Sequence, residues 1–404
     1  MKILTFNCGS SSLTFKVFDI VDGSPPNPVF SGKAHRVGVK GSKPSSIEFH
    51  HELTNEQLEI PLSNHGQAAL MVLDKLRNLN VAVDYIGHRW GHAAGYFTTA
   101  WITDDVLAKL KSLTPMLPIH HPAMLKVITQ CRKTYPDLPQ YVTADGAFHS
   151  TIPPCAYTYA LPEDIAKKYG FRKHGFHGLS YQYVVRSASE FLGLPLERLK
   201  IVACHLGTGG SSVAAIKYGA SVDTSMGYTG LPGLIMSTRS GDIDPILSTY
   251  LMANYGYRPD DLLDQLNKKS GLLGISGFSS DIRDIIQKIS DDPKAKLAFD
   301  MYVYRIRKYI GSYGVLMGGV DLLIFTDDIG AKNWLVRERV CNKMDWLDAE
   351  LDGEENKKCT GEEISVLQTD SSRVKIIAMP TEEELVICWE GLKLLRRGEN
   401  AVTV

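Results

Sequence analysis

Apolar and polar positions form a recognisable pattern at the start of the chain. Ile3, Leu4 and Phe6 make a short apolar run. Gly9 and three serines follow it, and apolar residues resume at Phe15. This order predicts a strand, a tight polar turn and a second strand over residues 2–18. Such a turn gathers backbone N–H groups and hydroxyls that suit phosphate oxygens, although a surface hairpin with a serine-rich tip fits the same residues.

The pattern recurs about half a chain later. An apolar strand over residues 200–206 runs into Gly207-Thr208-Gly209-Gly210, and a second apolar strand ends at Ile216. A third variant lies at residues 321–330. Two similar hairpins indicate a duplicated α/β fold with two domains and phosphate groups held in the cleft between them. We assign residues 1–146 and 381–404 to an N-terminal domain and residues 147–380 to a C-terminal domain.

Hydrophobic spacing predicts the remaining elements. Helices are expected over 65–79, 104–113, 123–134, 181–192, most of 246–315 with a break at 271–277, 333–344 and the last ~20 residues. Further strands are expected over 31–37, 46–49, 81–86, 140–143 and 374–379. The polar stretch 351–361 is predicted to be a surface loop.

Charge and composition exclude some classes of function. The 404 residues carry 44 basic and 45 acidic side chains, a net charge of −1, which argues against a broad nucleic-acid interface. Apolar runs stay below the ~18 residues that a membrane helix requires, and no signal peptide is visible at the N-terminus. Seven scattered cysteines without metal-binding spacing predict a reduced, cytoplasmic protein.

Charged side chains follow two of the predicted strands. Arg89 lies in Gly87-His88-Arg89 after one strand, and Asp145 comes directly after another. Loops at strand ends are where α/β proteins bind ligands, so both residues are candidates for a site. A turn arginine paired with a surface carboxylate, and an aspartate that caps the next helix, are the alternatives. His88 and His92 resemble metal ligands only weakly, because no third ligand matches them.

Two more polar segments carry candidate chemistry. His177 lies in a His/Gly loop before a predicted helix, where it can donate to an anion. Arg239 lies in a long Gly/Ser/Thr-rich stretch between residues 223 and 245, and a structureless loop of that size is usually functional. The proline-rich bend that carries His120 fits the wall of a pocket, and it fits a plain connection between two helices equally well.

Six motifs in order resemble the acetate kinase family, within the actin/Hsp70/sugar-kinase superfold. They cover essentially the whole chain and are the Asn7 hairpin, Gly87-His88-Arg89, Pro118-Ile119-His120, Asp145 with Ala147-Phe148-His149, Gly175-Phe176-His177-Gly178, and Ser237-Thr238-Arg239-Ser240-Gly241-Asp242. The resemblance implies a duplicated actin-like, ribonuclease H-like fold with two domains. It also implies phosphoryl transfer between a short-chain carboxylate and its acyl phosphate.

The resemblance implies a role for each site residue. Arg89, Asp145, His177 and Arg239 are the expected catalytic residues, with His177 and Arg239 stabilising the transition state. Asn7, Asp145 and Glu383 are the expected Mg²⁺ ligands, with Glu384 as the alternative to Glu383 and Mn²⁺ as an alternative metal. The expected substrate-binding residues are Asn7, Gly91, Ile119, Phe176 and Gly230. The expected phosphate- or donor-binding residues are Ser10, Ser12, Lys16, His205, Gly207, Thr208, Gly209, Gly210, Asp281, Arg283 and Asp328.

The chain departs from the family at the donor site. The family's usual lysine is Thr14 here, and Lys16, two positions on and therefore on the same face of the strand, is the expected substitute. Glycines that let adenosine lie against the backbone are replaced by Asp327 and Asp328. These changes resemble the small branch that uses pyrophosphate and phosphate, so acetyl phosphate and phosphate are expected to give acetate and pyrophosphate. An ordinary ATP-linked acetate or propionate kinase is the alternative.

The expected acyl pocket also differs, because Gly91 and Gly230 stand where a valine and a proline are usual. A longer acyl chain could fit, unless neighbours such as Trp90 or Tyr228 fill the space. A protein of a different functional class, a non-catalytic phosphate- or nucleotide-binding module, is the remaining alternative. It predicts loss of Arg89, His177 and Arg239, yet all three are present. The resemblance further implies a homodimer, with no nucleic-acid or membrane partner expected.

Overall fold

The computed structural model of the protein describes residues 1–39, 44–52, 54–91, 98–114 and 120–398. The chain divides into two compact units. Unit 1 contains Met1–Ala147 together with the chain from Glu382 onward, and unit 2 contains Phe148–Thr381. The predicted domain boundaries and the cleft between the domains stay predictions.

The strands of the two units form two sheets. In unit 1 they are β1 (Lys2–Cys8), β2 (Ser12–Asp19), β3 (Asn27–His35), β4 (Ser46–His51), β5 (Thr54–Glu59), β6 (Tyr85–Trp90), β7 (Ala100–Trp101) and β8 (Gln140–Ala144). In unit 2 they are β9 (Lys200–Leu206), β10 (Ser211–Lys217), β11 (Ala220–Thr224), β12 (Leu322–Thr326), β13 (Ser365–Val366) and β14 (Lys375–Ala378).

The described helices surround these sheets. In chain order they are α1 (His65–Asn78), α2 (Asp104–Ser112), α3 (His121–Thr134), α4 (Pro154–Tyr157), α5 (Glu163–Tyr169), α6 (Gly178–Leu192), α7 (Ile246–Tyr255), α8 (Pro259–Lys268), α9 (Gly271–Ser276), α10 (Ile282–Ile286), α11 (Pro293–Met317), α12 (Asp327–Lys332), α13 (Trp334–Cys341), α14 (Gly353–Lys358) and α15 (Glu383–Arg396). None of the described helices is long and apolar enough to cross a lipid bilayer.

The two sheets repeat one topology. The order β3-β2-β1-β6-β8 in unit 1 corresponds to β11-β10-β9-β12-β14 in unit 2. In both, the hairpin strands pair antiparallel, and the first hairpin strand then pairs parallel with the next strand of the sheet. The predicted duplicated α/β fold is confirmed.

Most predicted elements are present, and the differences have local causes. The stretch 351–361 is not a plain surface loop, because α14 lies within it and its Asn356 side chain is buried. The break predicted at 271–277 is itself the short helix α9, bounded by Gly271 and Gly277 with φ of 60° and 77°. The variant at 321–330 is a strand followed by a helix, not a hairpin.

Tyr141 is the residue around which the core of unit 1 closes. The side chain is fully buried, and its hydroxyl donates to the Ile387 carbonyl at 2.9 Å. A Cβ placed on Gly391 would lie 2.3 Å from the Tyr141 ring, and one on Gly87 would lie 2.5 Å from it. Glycine at these two positions therefore lets β6 and α15 approach the ring of a residue on β8.

Arg337 has a similar role in unit 2. Its guanidinium is fully buried and donates to the Asn356 Oδ1 at 2.6 Å, the Asn356 carbonyl at 2.9 Å and the Gly330 carbonyl at 3.0 Å. A further bond reaches the Ala331 carbonyl. Because Gly330 and Ala331 lie near the carboxyl end of α12, the arginine satisfies carbonyls that the helix leaves unpaired.

We expect Gly391→Ala to lower the free energy of unfolding of unit 1 by about 1–3 kcal/mol, because the added methyl overlaps the Tyr141 ring in a filled core. Differential scanning calorimetry measures the change. Gly311→Ala is the control, since a Cβ there meets nothing within 4 Å and α11 gains helix propensity. Equal melting temperatures for the two variants would contradict the packing argument.

We expect Arg337→Met to destabilise unit 2 by about 3 kcal/mol, because buried carbonyl and amide oxygens lose their donor. Urea unfolding followed by circular dichroism measures the loss. Arg373→Met is the matched control, since its side chain is 59% exposed and its ion pair with Asp348 is worth at most about 1 kcal/mol. A loss no greater than that of the control would show that α12 does not depend on Arg337.

Candidate active site

Five polar side chains meet at one edge of the unit 1 sheet, and we call them the Arg89 cluster: Asn7, Arg89, Asp145, Glu383 and Glu384. Arg89 donates from Nη1 to Asn7 Oδ1 and to Glu383 Oε2, both at 2.9 Å. Its Nη2 donates to Asp145 Oδ2 at 2.9 Å. Asn7 donates to Glu383 at 2.8 Å and to Glu384 at 3.0 Å.

Strand order explains why these residues meet. Asn7, Arg89 and Asp145 lie at or just after the carboxyl ends of β1, β6 and β8, which are neighbours in the sheet. The first turn of α15 then supplies Glu383 and Glu384. Arg89 lies within β6 and not in the loop that was expected after this strand, so the predicted strand end was wrong. It pairs with buried carboxylates, which differs from the alternative of a turn arginine with a surface partner.

The Arg89 cluster holds more negative than positive charge. Burial opposes the charge of Arg89, but the carboxylates of Asp145 and Glu383 outweigh burial and raise its pKa. Burial and the Glu383 carboxylate raise the pKa of Glu384, against the smaller effects of Lys16 and Asn7. Three carboxylates thus share one guanidinium, an arrangement that favours an additional cation.

The donor set of the Arg89 cluster fits Mg²⁺. Carboxylate and amide oxygens are hard ligands, and Mg²⁺ is commonly held by one or two carboxylates together with water and substrate phosphates. No group of three or more His, Cys, Asp or Glu side chains forms a metal centre by itself among the described residues. Asp145, Glu383 and Asn7 would therefore hold the ion only in part.

The first polar turn, which comprises residues 9–12, also belongs to unit 1. The Gly9 amide donates to the Ser12 carbonyl at 2.9 Å, and a Cβ on Gly9 would lie 2.8 Å from Ser12 Oγ, so the turn is tight. Ser10 is exposed at its tip. Lys16 forms an ion pair with Glu382, the residue before α15. Gly91 is buried just after β6.

In unit 2, two histidines are stacked beside the second polar turn, which comprises residues 207–210. The rings of His177 and His205 lie 4.0 Å apart between centroids and are inclined by 24°. His177 Nδ1 is 2.8 Å from Ser212 Oγ, and His205 Nδ1 is 2.8 Å from Ser180 Oγ. Tyr181 extends the chain of hydrogen bonds, with its hydroxyl 2.5 Å from Ser212 Oγ. Each imidazole is therefore held by a serine on its Nδ1 side.

His177 also has an unusual backbone. Its φ of 59° lies in the left-handed region, immediately before α6 begins at Gly178. Non-glycine residues adopt this region at a cost, and such residues are concentrated at functional sites. The backbone conformation of His177 is thus consistent with a functional role for its imidazole ring.

Arg239 lies against the second polar turn. It donates from Nη2 to the Gly209 carbonyl and from Nη1 to the Gly230 carbonyl, both at 2.6 Å. A Cβ on Gly210 would lie 2.5 Å from Arg239 Nη2 and 3.4 Å from His177 Nε2. Glycine at position 210 therefore lets the guanidinium and the imidazole approach the same turn.

The guanidinium of Arg239 lacks a carboxylate partner within 4 Å among the described residues. Backbone carbonyls accept its two hydrogen bonds, and burial lowers its pKa to about 10. A partly desolvated cation without a counter-ion attracts anions strongly.

Asp327 and Asp328 hold the second polar turn from the start of α12. Asp328 accepts from the Thr208 amide and from the Thr208 hydroxyl, both at 2.8 Å. Asp327 Oδ2 lies 3.1 Å from His205 Nε2. The φ of Asp327 is 66°, a left-handed conformation that glycine adopts most easily. The backbone at this position thus keeps a glycine-like conformation while its side chain reaches the histidine pair.

The Asp281–Arg283 motif forms a local unit. Arg283 donates from Nε and Nη2 to the Asp281 carboxylate at 2.6–3.1 Å, and its backbone amide donates to the same carboxylate at 2.9 Å. The hydrogen bond from Arg283 is the main reason that the pKa of Asp281 is lowered. Asp328 adds to the negative field around Arg283.

The residues expected to line an acyl pocket are only partly described. Ile119 and His92 lie outside the described residues. Phe176 is buried in unit 2, whereas a Cβ on Gly230 would lie 2.8 Å from Arg239 Nη1 and 3.8 Å from the Met226 sulfur. Arg239 and Met226 therefore occupy the space beside Gly230.

Sequence reasoning missed several supporting residues. Ser180, Ser212 and Tyr181 orient the histidines, and Asp327 contacts His205. Ser180 and Ser212 lie beside the His177 motif and the second polar turn, so their position was a usable signal. His88, considered as a metal ligand, is instead buried with its Nε2 2.9 Å from Gln140 Oε1, and burial lowers its pKa to about 4.

Comparisons with known proteins agree with this picture. The Acetokinase family profile matches residues 2–389. An acetate kinase from Thermoanaerobacterium thermosaccharolyticum is 42% identical over 407 residues, covering 98% of this chain and 99% of that protein. The crystal structure of acetate kinase from Entamoeba histolytica is 42% identical with a TM-score of 0.86, covering 98% of this chain and 100% of that one.

A propionate kinase structure from Francisella tularensis is also similar. It is 32% identical with a TM-score of 0.86, covering 96% of this chain and 98% of that one. The fold of these structures is the duplicated two-domain α/β fold found here. Because the family profile and the relatives span nearly the whole chain, the protein belongs to the acetokinase family.

Proposed function

We propose that the protein is an acetate kinase, which transfers a phosphoryl group reversibly between acetyl phosphate and a phosphate acceptor. The observation that carries the proposal is Arg239, a guanidinium without a carboxylate partner among the described residues, which converges with His177 on the turn at Gly210. Phosphoryl transfer depends mainly on positioning and on stabilising charge, which is what such a pair supplies.

The reaction suits residues that carry charge more than residues that move protons. Acetate is already ionised at neutral pH, so its attack on phosphorus requires no general base. Arg239 is expected to balance charge on the transferring phosphoryl group. His177, held through Nδ1 by Ser212, is expected to donate from its other edge. Arg89 is the candidate for the carboxylate and phosphoryl end in unit 1.

We propose that Mg²⁺ is the metal, with Mn²⁺ as an alternative. Asp145, Glu383 and Asn7 would hold it, with Glu384 as the alternative carboxylate to Glu383. Bound there, the ion would supply positive charge that neutralises part of the charge on the phosphoryl group. The excess of carboxylates over cations in the Arg89 cluster supports this assignment.

For the donor, the relatives favour ATP and ADP. They are named acetate kinase or propionate kinase without qualification, which fits the ordinary ATP-linked alternative better than a pyrophosphate-linked enzyme. Acetate is the proposed acyl substrate, with propionate second because of the Francisella tularensis relative. A homodimer and a cytoplasmic location stay predictions.

Pyrophosphate with phosphate is a second candidate donor pair, favoured by one local arrangement. The Asp328 carboxylate accepts two bonds from Thr208, in the region where the family resemblance expects adenosine. The cavity lined by Thr208, Ile282 and Ile329 has a volume of only about 10 Å³, the size of one water molecule. A carboxylate fixed at this position disfavours a nucleotide through its like charge.

Arg239→Ala should lower kcat for acetyl phosphate turnover by about 100-fold or more, since loss of one such donor costs about 3 kcal/mol in the transition state. Acetate release from acetyl phosphate with Mg²⁺ and an acceptor measures the change. Arg258→Ala, which removes an exposed arginine of unit 2, should leave the rate unchanged. Equal rates for both variants would contradict the proposed site, and a wild-type protein without turnover would contradict the proposed activity.

The donor is tested by supplying ADP or inorganic phosphate to the same assay. If pyrophosphate is the natural partner, the wild type works with phosphate, and Asp328→Gly should improve use of ADP about tenfold by removing one like charge, roughly 1.4 kcal/mol. Asp328→Asn keeps the shape without the charge and separates repulsion from blocking. Efficient turnover with ADP that Asp328→Gly does not change would instead support the ATP-linked enzyme.

A further inference from the structure

A groove lies on unit 2 away from the residues of the candidate site. Its volume is about 610 Å³, within the range of about 300–1,000 Å³ that small-molecule sites occupy. Residues of α11, of α13 and of the segment 342–346 line it. On α11, Phe299 and Val303 line the groove, whereas Tyr302 lines the small cavity beside Thr208. The groove and the second polar turn therefore lie on different sides of the same helix.

Three cations line the groove, namely Arg307, Lys308 and Arg339. Within the described part of the chain, none of them forms an ion pair with a carboxylate. The acidic residue on the groove wall, Asp300, already pairs with Lys296. The groove thus carries an excess positive charge, and its two guanidiniums have the planar donor geometry that binds phosphate oxygens.

The rest of the groove is apolar and aromatic. Phe299, Val303 and Met344 are buried and line its floor. Tyr304 and Trp346 are 69% and 57% exposed on its rim, although aromatic side chains of this size usually find cover. A flat ring could stack on either, as nucleic-acid bases do on exposed aromatic side chains.

Trp346 has a defined position at the rim. A Cβ on Gly314 of α11 would lie 3.3 Å from the edge of the Trp346 ring, so the indole rests against the helix where a glycine leaves room. Because the ring is held on one side by α11, its exposed side is available to a ligand. A supported aromatic surface next to cations without carboxylate partners is a combination that suits an aromatic anion.

From this charge and shape we propose that the groove binds a nucleotide-sized organic phosphate, with the phosphate at Arg307 and Arg339 and the flat ring at Trp346. The site is separate from the candidate active site. Binding there does not depend on whether the protein transfers phosphoryl groups to acetate.

The test uses AMP as the probe and isothermal titration calorimetry on the full-length protein. AMP is expected to bind one per chain with a Kd of about 1 mM or tighter. Arg307→Ala/Arg339→Ala should weaken binding at least about tenfold, a loss of about 1.4 kcal/mol. The matched control, Arg258→Ala/Arg373→Ala, removes two exposed arginines of the same unit and should leave the affinity unchanged.

Further outcomes distinguish the groove from the candidate active site and from a contact between two copies of the chain. Inorganic phosphate alone should bind more weakly than AMP, and Trp346→Ala should abolish that difference.

Absence of saturable binding would overturn the proposal, as would equal weakening by the groove variant and its control. Loss of binding in Arg239→Ala alone would place the nucleotide at the candidate active site. A change in sedimentation caused by the groove variant would show that a second copy covers the groove. Circular dichroism checks that each variant is folded.

Discussion

The guanidinium of Arg89 holds together the polar cluster at the edge of the unit 1 sheet. It joins the end of β1, the residue after β8 and the first turn of α15, and so connects residues from both ends of the sequence. The carboxylates that surround it repel one another, and Arg89 offsets only part of that repulsion. Burial and this excess of carboxylates raise the pKa of Glu384, and the same excess favours an additional cation.

In unit 2 the central guanidinium is that of Arg239, which donates to two backbone carbonyls. The polar turn of this unit is built from glycines that allow Arg239 and His177 to come close, and the serines beneath fix the histidine rings. Two left-handed residues, His177 and Asp327, bear local strain there. Strain of this kind persists only when surrounding contacts determine the backbone, and the buried bonds of Arg337 to the Gly330 and Ala331 carbonyls of α12 are one such determinant.

Asp327 and Asp328 distinguish this chain from the glycine-containing pattern of its family. Asp327 retains the left-handed backbone of a glycine position and adds a carboxylate beside His205. Asp328 ties the Thr208 turn to α12. Both residues therefore add negative charge at the turn. We propose that the choice of phosphate donor depends on this local electrostatic difference and not on the fold.

The amino-acid sequence by itself determined the duplicated hairpins, most helices and the candidate residues Arg89, Asp145, His177 and Arg239, because period, turn chemistry and ordered motifs are local properties. Only the tertiary structure decided which of these residues share a cluster. Packing also decided that the Asn356 side chain of α14 is buried and that Arg239 fills the space beside Gly230. Glu382 gained its role from Lys16, which is 366 residues away, and Ser180 from His205, which is 25 residues away. Arg337 gained its role from Asn356, 19 residues away, and local patterns carry no information about such contacts.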